Sequence, residues 1–388
     1  MNFVGVIAEY DPLHNGHAAQ LQMLKAQGAG CIAVVLSAGA VQRGGVPVLP
    51  ESVRVRAALA AGADLVVAQP APYACSGAES FAAAGVRLAA ALGCDTLAFG
   101  AETPDADALL QTAKLLQTPD LQQKLRANLA TGQTYAAARA AAAEALRPGS
   151  GALLRSPNNI LGVEYCKAIL AQGTALTPLP LPRLGAQHGG GAGEWQGTPM
   201  ASASHLRSLP FAQLRPFVPP EAWALYEQAK AQGLWADPAK FETALLALLR
   251  MQDPANFARV RGISEGLEHR LAAAVRTAPD LAALYDAMKT KRYPHARLRR
   301  LAWDAALGVY GEVPPVPYLH LLGAKRSALP RCKQAALPVG TSLADLVKTG
   351  PEAAFVGSLH SRAVDFSALC REKTLPMGLA FTTKPVVL

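Results

Sequence analysis

Residues 3–9 form an almost unbroken apolar run with turn residues behind it, the pattern of a strand buried on both faces. Cys31–Ser37, Asp64–Ala68 and Thr96–Gly100 read the same way, and helical spacing recurs between them over His17–Gln27, Glu51–Ala61 and Glu79–Leu92. Strands alternating with helices predict βαβ units, right-handed crossovers and a Rossmann-like parallel sheet, an α/β fold. Ligands of such sheets sit beyond the carboxyl ends of the strands, where His14, Ser37 and Gly100 fall.

After Gly100 the pattern turns helical. Leu109–Gln117, Asp120–Thr131 and Tyr135–Leu146 read as three short helices of an insertion at about 105–150. Pro157 opens another helix, running to about Ala171. Thr177–Arg183 is a short strand whose prolines put it near a sheet edge. The glycine-rich run 185–193 reads as a loop. A first domain is expected to end near residue 210, and a mainly helical second one to fill 211–388, helical from Pro219 to Leu307. The proline-rich tail after Gly311 yields no clear architecture.

Charge separates the two halves. Residues 1–150 carry 10 Lys and Arg against 11 Asp and Glu, whereas the remainder carries 27 against 17. The basic second half suggests a polyanionic partner, although any solvated surface can be basic. The longest apolar stretch, Ala57 to Cys75, is broken by Asp64 and prolines, so no membrane association is expected. Met1-Asn2-Phe3 lacks the basic start of a secretory signal. Six cysteines lie far apart without a Cys-x-x-Cys pair, which argues for buried thiols in a reducing cytoplasm rather than zinc or disulfides. No obligate protein partner is evident.

The candidate chemistry begins at His14-Asn15-Gly16-His17, just where strand and turn give way to a helix. Unpaired backbone N–H groups and the helix dipole converge there, favouring an anion. Two imidazoles three residues apart could donate to neighbouring phosphates of one nucleotide, and such donors act most strongly on charge that grows in a transition state. The same turn could instead merely start a helix. A two-histidine metal site lacks a third ligand at suitable spacing. Downstream, Ala201-Ser202-Ala203-Ser204-His205-Leu206-Arg207 places hydroxyls at a helix start followed by an arginine; helix capping alone would explain the serines.

The first motif resembles the His-x-Gly-His signature of the nucleotidylyl transferases, and the second their Ile-Ser-x-Thr-x-Ile-Arg segment. Further segments are similar to those of the bacterial tRNA(Met) cytidine acetate ligases: Ser37 to Gly44, Gly62 to Val66, Phe99-Gly100-Ala101-Glu102, Ser156 to Gly162, Ser264 to Arg270 and Lys289-Thr290-Lys291-Arg292-Tyr293. The resemblance spans residues 3 to about 326. It implies that ATP and acetate form acetyl-adenylate, and that the acetyl group passes to the N4 amine of the wobble cytidine in elongator tRNA(Met). His14 and His17 would be catalytic. ATP would be held by Ile7, Gly16, Gln20, Gly100, Asn158, Asn159, Arg183 and Leu184, with Ser202, Ser204 and Arg207 on the departing pyrophosphate. Mg²⁺ is expected to screen the phosphates, though no carboxylate cluster identifies its ligands. A helix cap after Pro157 would equally explain the asparagines. A small-molecule adenylyltransferase and a non-catalytic RNA-binding protein on the same fold are the alternatives.

Three positions depart from the family pattern: Ala40 stands where an Asn-Phe pair is usual, Pro50 where an aspartate is, and His205 where a small residue is. In the basic half, Lys289, Lys291, Arg292, Arg297 and Arg300 are expected to meet RNA phosphates, with Tyr293 stacked on an exposed base. A helix starting near His295 would put Arg297 and Arg300 on one face and turn Arg299 aside. Arg259, Arg261, His269 and Arg270 extend that surface, and Lys325 with Arg326 form another candidate contact. A solvated helix face would account for the same charges.

Overall fold

The computed structural model describes residues 1–185, 191–264, 266–290 and 293–388. Five strands, β1 (Phe3–Ala8), β2 (Cys31–Ser37), β3 (Leu65–Gln69), β4 (Thr96–Ala101) and β5 (Thr177–Pro182), lie parallel in the order β3-β2-β1-β4-β5. Alternate residues face opposite helical layers. Phe3, Ala33, Val35, Leu65, Val67 and Phe99 share a core with helices Ala78–Leu92 and Pro157–Gln172. On the other face Val4, Val6 and Ile32 pack against helix Asn15–Ala26, while Val34, Leu36, Val66 and Ala68 pack against helix Glu51–Ala60. Burial on both faces explains why these strands read as continuous apolar runs. The chain order reverses at β1, with β2 on one side and β4 on the other, so a crevice opens above their carboxyl ends.

The expected elements of the first half are present. The insertion folds as helices Ala106–Leu115, Pro119–Ala130 and Tyr135–Leu146. β5 bounds the parallel part of the sheet, pairing with β4 alone. Its prolines occupy alternate positions 178, 180 and 182, whose missing N–H groups would all point to one side of the strand, which suits an edge. All six cysteines are unpaired, and all but the half-buried Cys332 are buried.

The boundary near residue 210 needs correction. After the hairpin of β6 (Gly193–Trp195) and β7 (Thr198–Met200), the segment Phe211–Phe217 and helix Pro220–Ala231 stay on the first core, where Trp223 and Tyr226 pack with Val55 and Ala58. Far downstream, β8 (Leu319–Ala324) joins the same sheet antiparallel to β3, pairing Leu65 with Ala324 and Val66 with Gly323. β9 (Val339–Gly340) and β10 (Val386–Val387) add to β8, giving eight strands among the described residues. The proline-rich tail therefore completes the first domain. A separate helical core is limited to the elements between Pro238 and Leu307, closed by Leu359, Ala363 and Phe366 of helix Pro351–Leu369.

Gly44 is one point at which this helical unit meets the sheet crevice. Gly44, at φ 84°, lies so close to helix His295–Leu307 that a Cβ there would stand 2.9 Å from the backbone of Arg299 and Arg300. Only glycine meets both demands.

Because β8 covers β3, whose five residues are all buried, a fragment ending at residue 210 would expose an apolar strand edge. Fragment 1–210 is expected to aggregate where the full chain does not; a soluble, cooperatively unfolding fragment in size-exclusion and thermal-melt experiments would contradict this topology.

Candidate active site

The loop between β1 and the first helix is pinned from five directions. Arg54, buried in helix Glu51–Ala60, donates to the carbonyls of Glu9 at 2.8 Å and Ser37 at 2.7 Å, tying the ends of β1 and β2 together. The buried Asp11 carboxylate accepts the Val48 N–H at 2.6 Å and pairs with Arg43. Arg207 donates to the Asp11 carbonyl at 2.7 Å, with its guanidinium 3.9 Å from the carboxylate. The Tyr226 hydroxyl accepts from Leu13 N and donates to Leu13 O, at 3.0 and 3.2 Å. Asn15 donates to the carbonyls of Pro199 and Pro216, which fastens the loop to β7 and the segment behind it. Burial alone would raise the pKa of Asp11, but Arg43, Arg207 and Arg54 together hold it below the ordinary carboxylate value. Glu9 has Arg43 and the Gln42 N–H beside it, and burial still pushes it upward.

On this fixed loop the histidines form a reciprocal cap. Nδ1 of His14 accepts the Gly16 N–H at 3.1 Å, and Nδ1 of His17 accepts the His14 N–H at 3.4 Å. The rings stack with centroids 3.8 Å apart, and Tyr10 meets His17 edge-on at 4.9 Å. Burial, reinforced by the neighbouring ring, Arg183 and Arg207, drives His14 well below its ordinary 6.5; burial and then Arg183 bring His17 down to about 3. Both rings are therefore neutral at pH 7. A neutral imidazole whose Nδ1 accepts must carry its proton on Nε2. The helix cap thus sets the tautomer and leaves each ring with an Nε2–H to donate.

A cavity of about 340 Å³ lies against these rings, lined by Ile7, His14, Gly16, His17, Gln20, Gly100, Asn158, Arg183, Leu184 and Ser202, with Glu9, Asp11, Gln42 and Tyr165. Ten of the thirteen residues expected at a nucleotide site are brought together. A Cβ on Gly100 would meet only Arg183, at 3.7 Å, so this strand end stands open to the cavity. Three expectations change. Asn159 is buried, with both ends of its amide bonded to Thr103, because it holds the turn after β4. Asn158 does line the cavity, but its Nδ2 donates to Glu102 at 2.6 Å. Ser204 stands exposed away from the lining, and Arg207 is occupied by Asp11. Ser202 caps helix Ala203–Leu206 through the His205 N–H. Sequence reasoning did not assign Asp11, Arg43, Arg54 and Glu102, although Arg43 and Glu102 lie in segments that carry the family likeness. Ala40 is fully buried against the helical core, and Pro50 precedes helix Glu51–Ala60 without a side-chain cap.

The basic segment is arranged differently from the expectation. Tyr293 is only 6% exposed and lies in the helical core with the Arg297 guanidinium 4.6 Å over its ring, so no base can stack on it there. Arg297 donates to Gly262 O and Ser264 Oγ, and Arg300 to Gln42 O. These two do share a face, but it is turned into the protein, leaving Arg299 outward. Lys289 is exposed and donates to the Tyr293 carbonyl at 3.0 Å. Lys291 and Arg292 lie outside the described residues. Arg261 forms a two-pronged pair with Asp304 at 2.8–3.0 Å, and Lys325 pairs with Asp64.

The model of the HIGH Nucleotidyl Transferase family matches residues 1–365. The tRNA(Met) cytidine acetate ligase of Levilactobacillus brevis is 36% identical over 82% of both chains, and that of Syntrophotalea carbinolica is 34% identical over 83% of this chain and 80% of its own. The chain belongs to this ligase family. A crystal structure of Thermotoga maritima TmcAL bound with alpha-thio ATP matches with a TM-score of 0.91 over the whole of both chains, at 24% identity, which establishes the shared fold. Among the described residues, no helix is long and apolar enough to cross a membrane.

The histidines also make the ligase acid-sensitive. Below pH 6.5 an unfolded chain takes up protons that the folded His17 refuses until about pH 3, so protonation favours unfolding and stability falls as pH drops through that window. His320, lowered to about 4, and His360, lowered to about 3, act in the same sense. The urea midpoint should fall between pH 7.5 and 5.5, and His17→Gln should lessen the fall without abolishing it. An equal fall in the variant would show that His17 is charged in the folded protein.

Proposed function

We propose that this chain acetylates the N4 amine of the wobble cytidine in elongator tRNA(Met), using acetate and ATP through an acetyl-adenylate. The observation that carries the reading is the stacked pair of buried histidines at the carboxyl end of β1, each held through Nδ1 by a backbone N–H, lining one cavity with the open Gly100. Adenosine lies along the Gly100 rim, near Leu184, and the phosphates reach the start of the helix at Asn15. An acetate oxygen attacks the α-phosphorus, and pyrophosphate departs with the electrons of the broken P–O bond. His14 and His17 donate to the oxygens on which charge grows, and Arg183 and Ser202 orient the phosphates. Arg207 joins them by exchanging Asp11 for phosphate.

In the second step the cytidine amine attacks the acetyl carbonyl, AMP leaves and the nitrogen gives up a proton. Among the described residues no group of three His, Cys, Asp or Glu side chains is placed to hold a metal ion. Magnesium enters on the ATP phosphates and screens their charge. The names of the relatives, and the ATP analogue on the Thermotoga protein, support the substrates.

Incubation with ATP, labelled acetate and tRNA(Met), followed by nucleoside analysis, is expected to yield N4-acetylcytidine. Acetate-dependent exchange of pyrophosphate into ATP should proceed without acetylated product. His17→Ala should lower both rates by about 10²–10³, the loss typical of one oxyanion donor. Acetylation without acetate-dependent exchange would contradict the adenylate, and an unimpaired His17→Ala would contradict the role of the rings.

Gly100→Leu fills the rim where adenosine is placed while leaving strand pairing untouched. It should weaken ATP binding at least tenfold with little change in melting temperature; unchanged ATP affinity in calorimetry would remove the nucleotide from that rim.

A further inference from the structure

A second and wider cavity, of about 1070 Å³, runs along the seam between the helical unit and the sheet domain. Its back wall is helix Ala78–Leu92, through Ala83, Ala84 and Arg87; Phe81 of the same helix lines the catalytic cavity. The strap Tyr310–Val316 forms the floor and is held firmly: the Tyr73 hydroxyl donates to Pro314 O at 2.5 Å and Arg87 Nε to Val316 O at 2.9 Å. The crevice is thus built before any ligand arrives.

Its wall carries a flat ledge. The exposed Arg259 guanidinium lies 4.9 Å over the Tyr310 ring, and its hydrogen bond to Asn256 is long, at 3.5 Å. The Tyr310 hydroxyl bonds Gln252 at 3.2 Å, fixing the ring beneath it. Arg87 and Arg259 face the space against one acid, Glu312, while Arg261 at its edge is already paired with Asp304. A planar cation backed by an aromatic ring, in a positively charged cleft, suits an unpaired nucleobase and its phosphate. The buried Tyr293 cannot serve that purpose.

We propose that this crevice is a second RNA contact, in which one unpaired nucleotide of the tRNA stacks on the Arg259–Tyr310 ledge while the wobble cytidine occupies the catalytic cavity. The inference rests on tRNA being the substrate. It assigns recognition to the seam between the two units rather than to the Arg297–Arg300 face.

The test is binding of tRNA(Met) transcript to the full-length protein across a salt series, with ATP affinity measured in parallel. Arg259→Ala, a surface change, should weaken tRNA about 3- to 10-fold and reduce the slope of log affinity against log salt by about one. Tyr310→Ala should weaken it about tenfold, and Tyr310→Phe should keep wild-type affinity because the stacking ring remains. ATP binding should be unchanged throughout. Wild-type tRNA affinity and salt slope in Arg259→Ala would overturn the contact, as would equal losses in Tyr310→Phe and Tyr310→Ala. Should the wild-type protein itself fail to bind tRNA, the proposed function fails instead.

Discussion

Two backbone N–H groups, those of His14 and Gly16, determine what the crevice can do. Each is donated to an imidazole Nδ1, and each therefore forces the ring's proton to Nε2. A helix start always leaves such donors unpaired, and serine or aspartate usually satisfies them. Here histidine takes the capping role, so the requirement of the helix and the requirement of the chemistry are met by the same bonds. Burial then keeps both rings neutral, and a pair of aligned donors results without an added positive charge.

That geometry depends on residues far away in sequence. Asp11 gathers Arg43 and Arg207, Arg54 joins the ends of β1 and β2, and Tyr226 grips Leu13. Arg300 and Gly44 carry the connection into the helical unit, because the Gln42 carbonyl accepts from Arg300 and the loop lies directly on its helix. Of these arginines, Arg207 and Arg300 belong to the second half, and both are spent on the site loop, which is one reason the counted charge overstates what a polyanion would meet.

The parallel sheet was legible in the sequence because strands buried on both faces must be apolar throughout, and Cys31–Ser37 announces itself for that reason. The histidine cap was legible because its four residues are contiguous. β8 was not: six buried residues, His320 among them, some 250 positions from their partner carry no periodic signal that names β3. The misreading of Tyr293 has a similar origin. A tyrosine among arginines reads as a stacking platform, yet the Arg297 guanidinium, from the first turn of the helix that follows, satisfies that ring face, and only packing reveals it. Asn158 and Asn159 show the limit from the other side. Both were candidates for a ligand or a cap; Glu102 and Thr103 engage both, and only Asn158 still borders the cavity.

The central claim concerns where two protons sit. Nitrogen NMR of protein labelled in its histidine rings, recorded at neutral pH with and without a non-hydrolysable ATP analogue, observes them directly. Each of the two rings should show one bare nitrogen at δ1 and one protonated nitrogen at ε2, and only the ε2 signals should move strongly when the analogue binds. Protonation at δ1, a doubly protonated ring, or ε2 signals indifferent to the nucleotide would contradict the account.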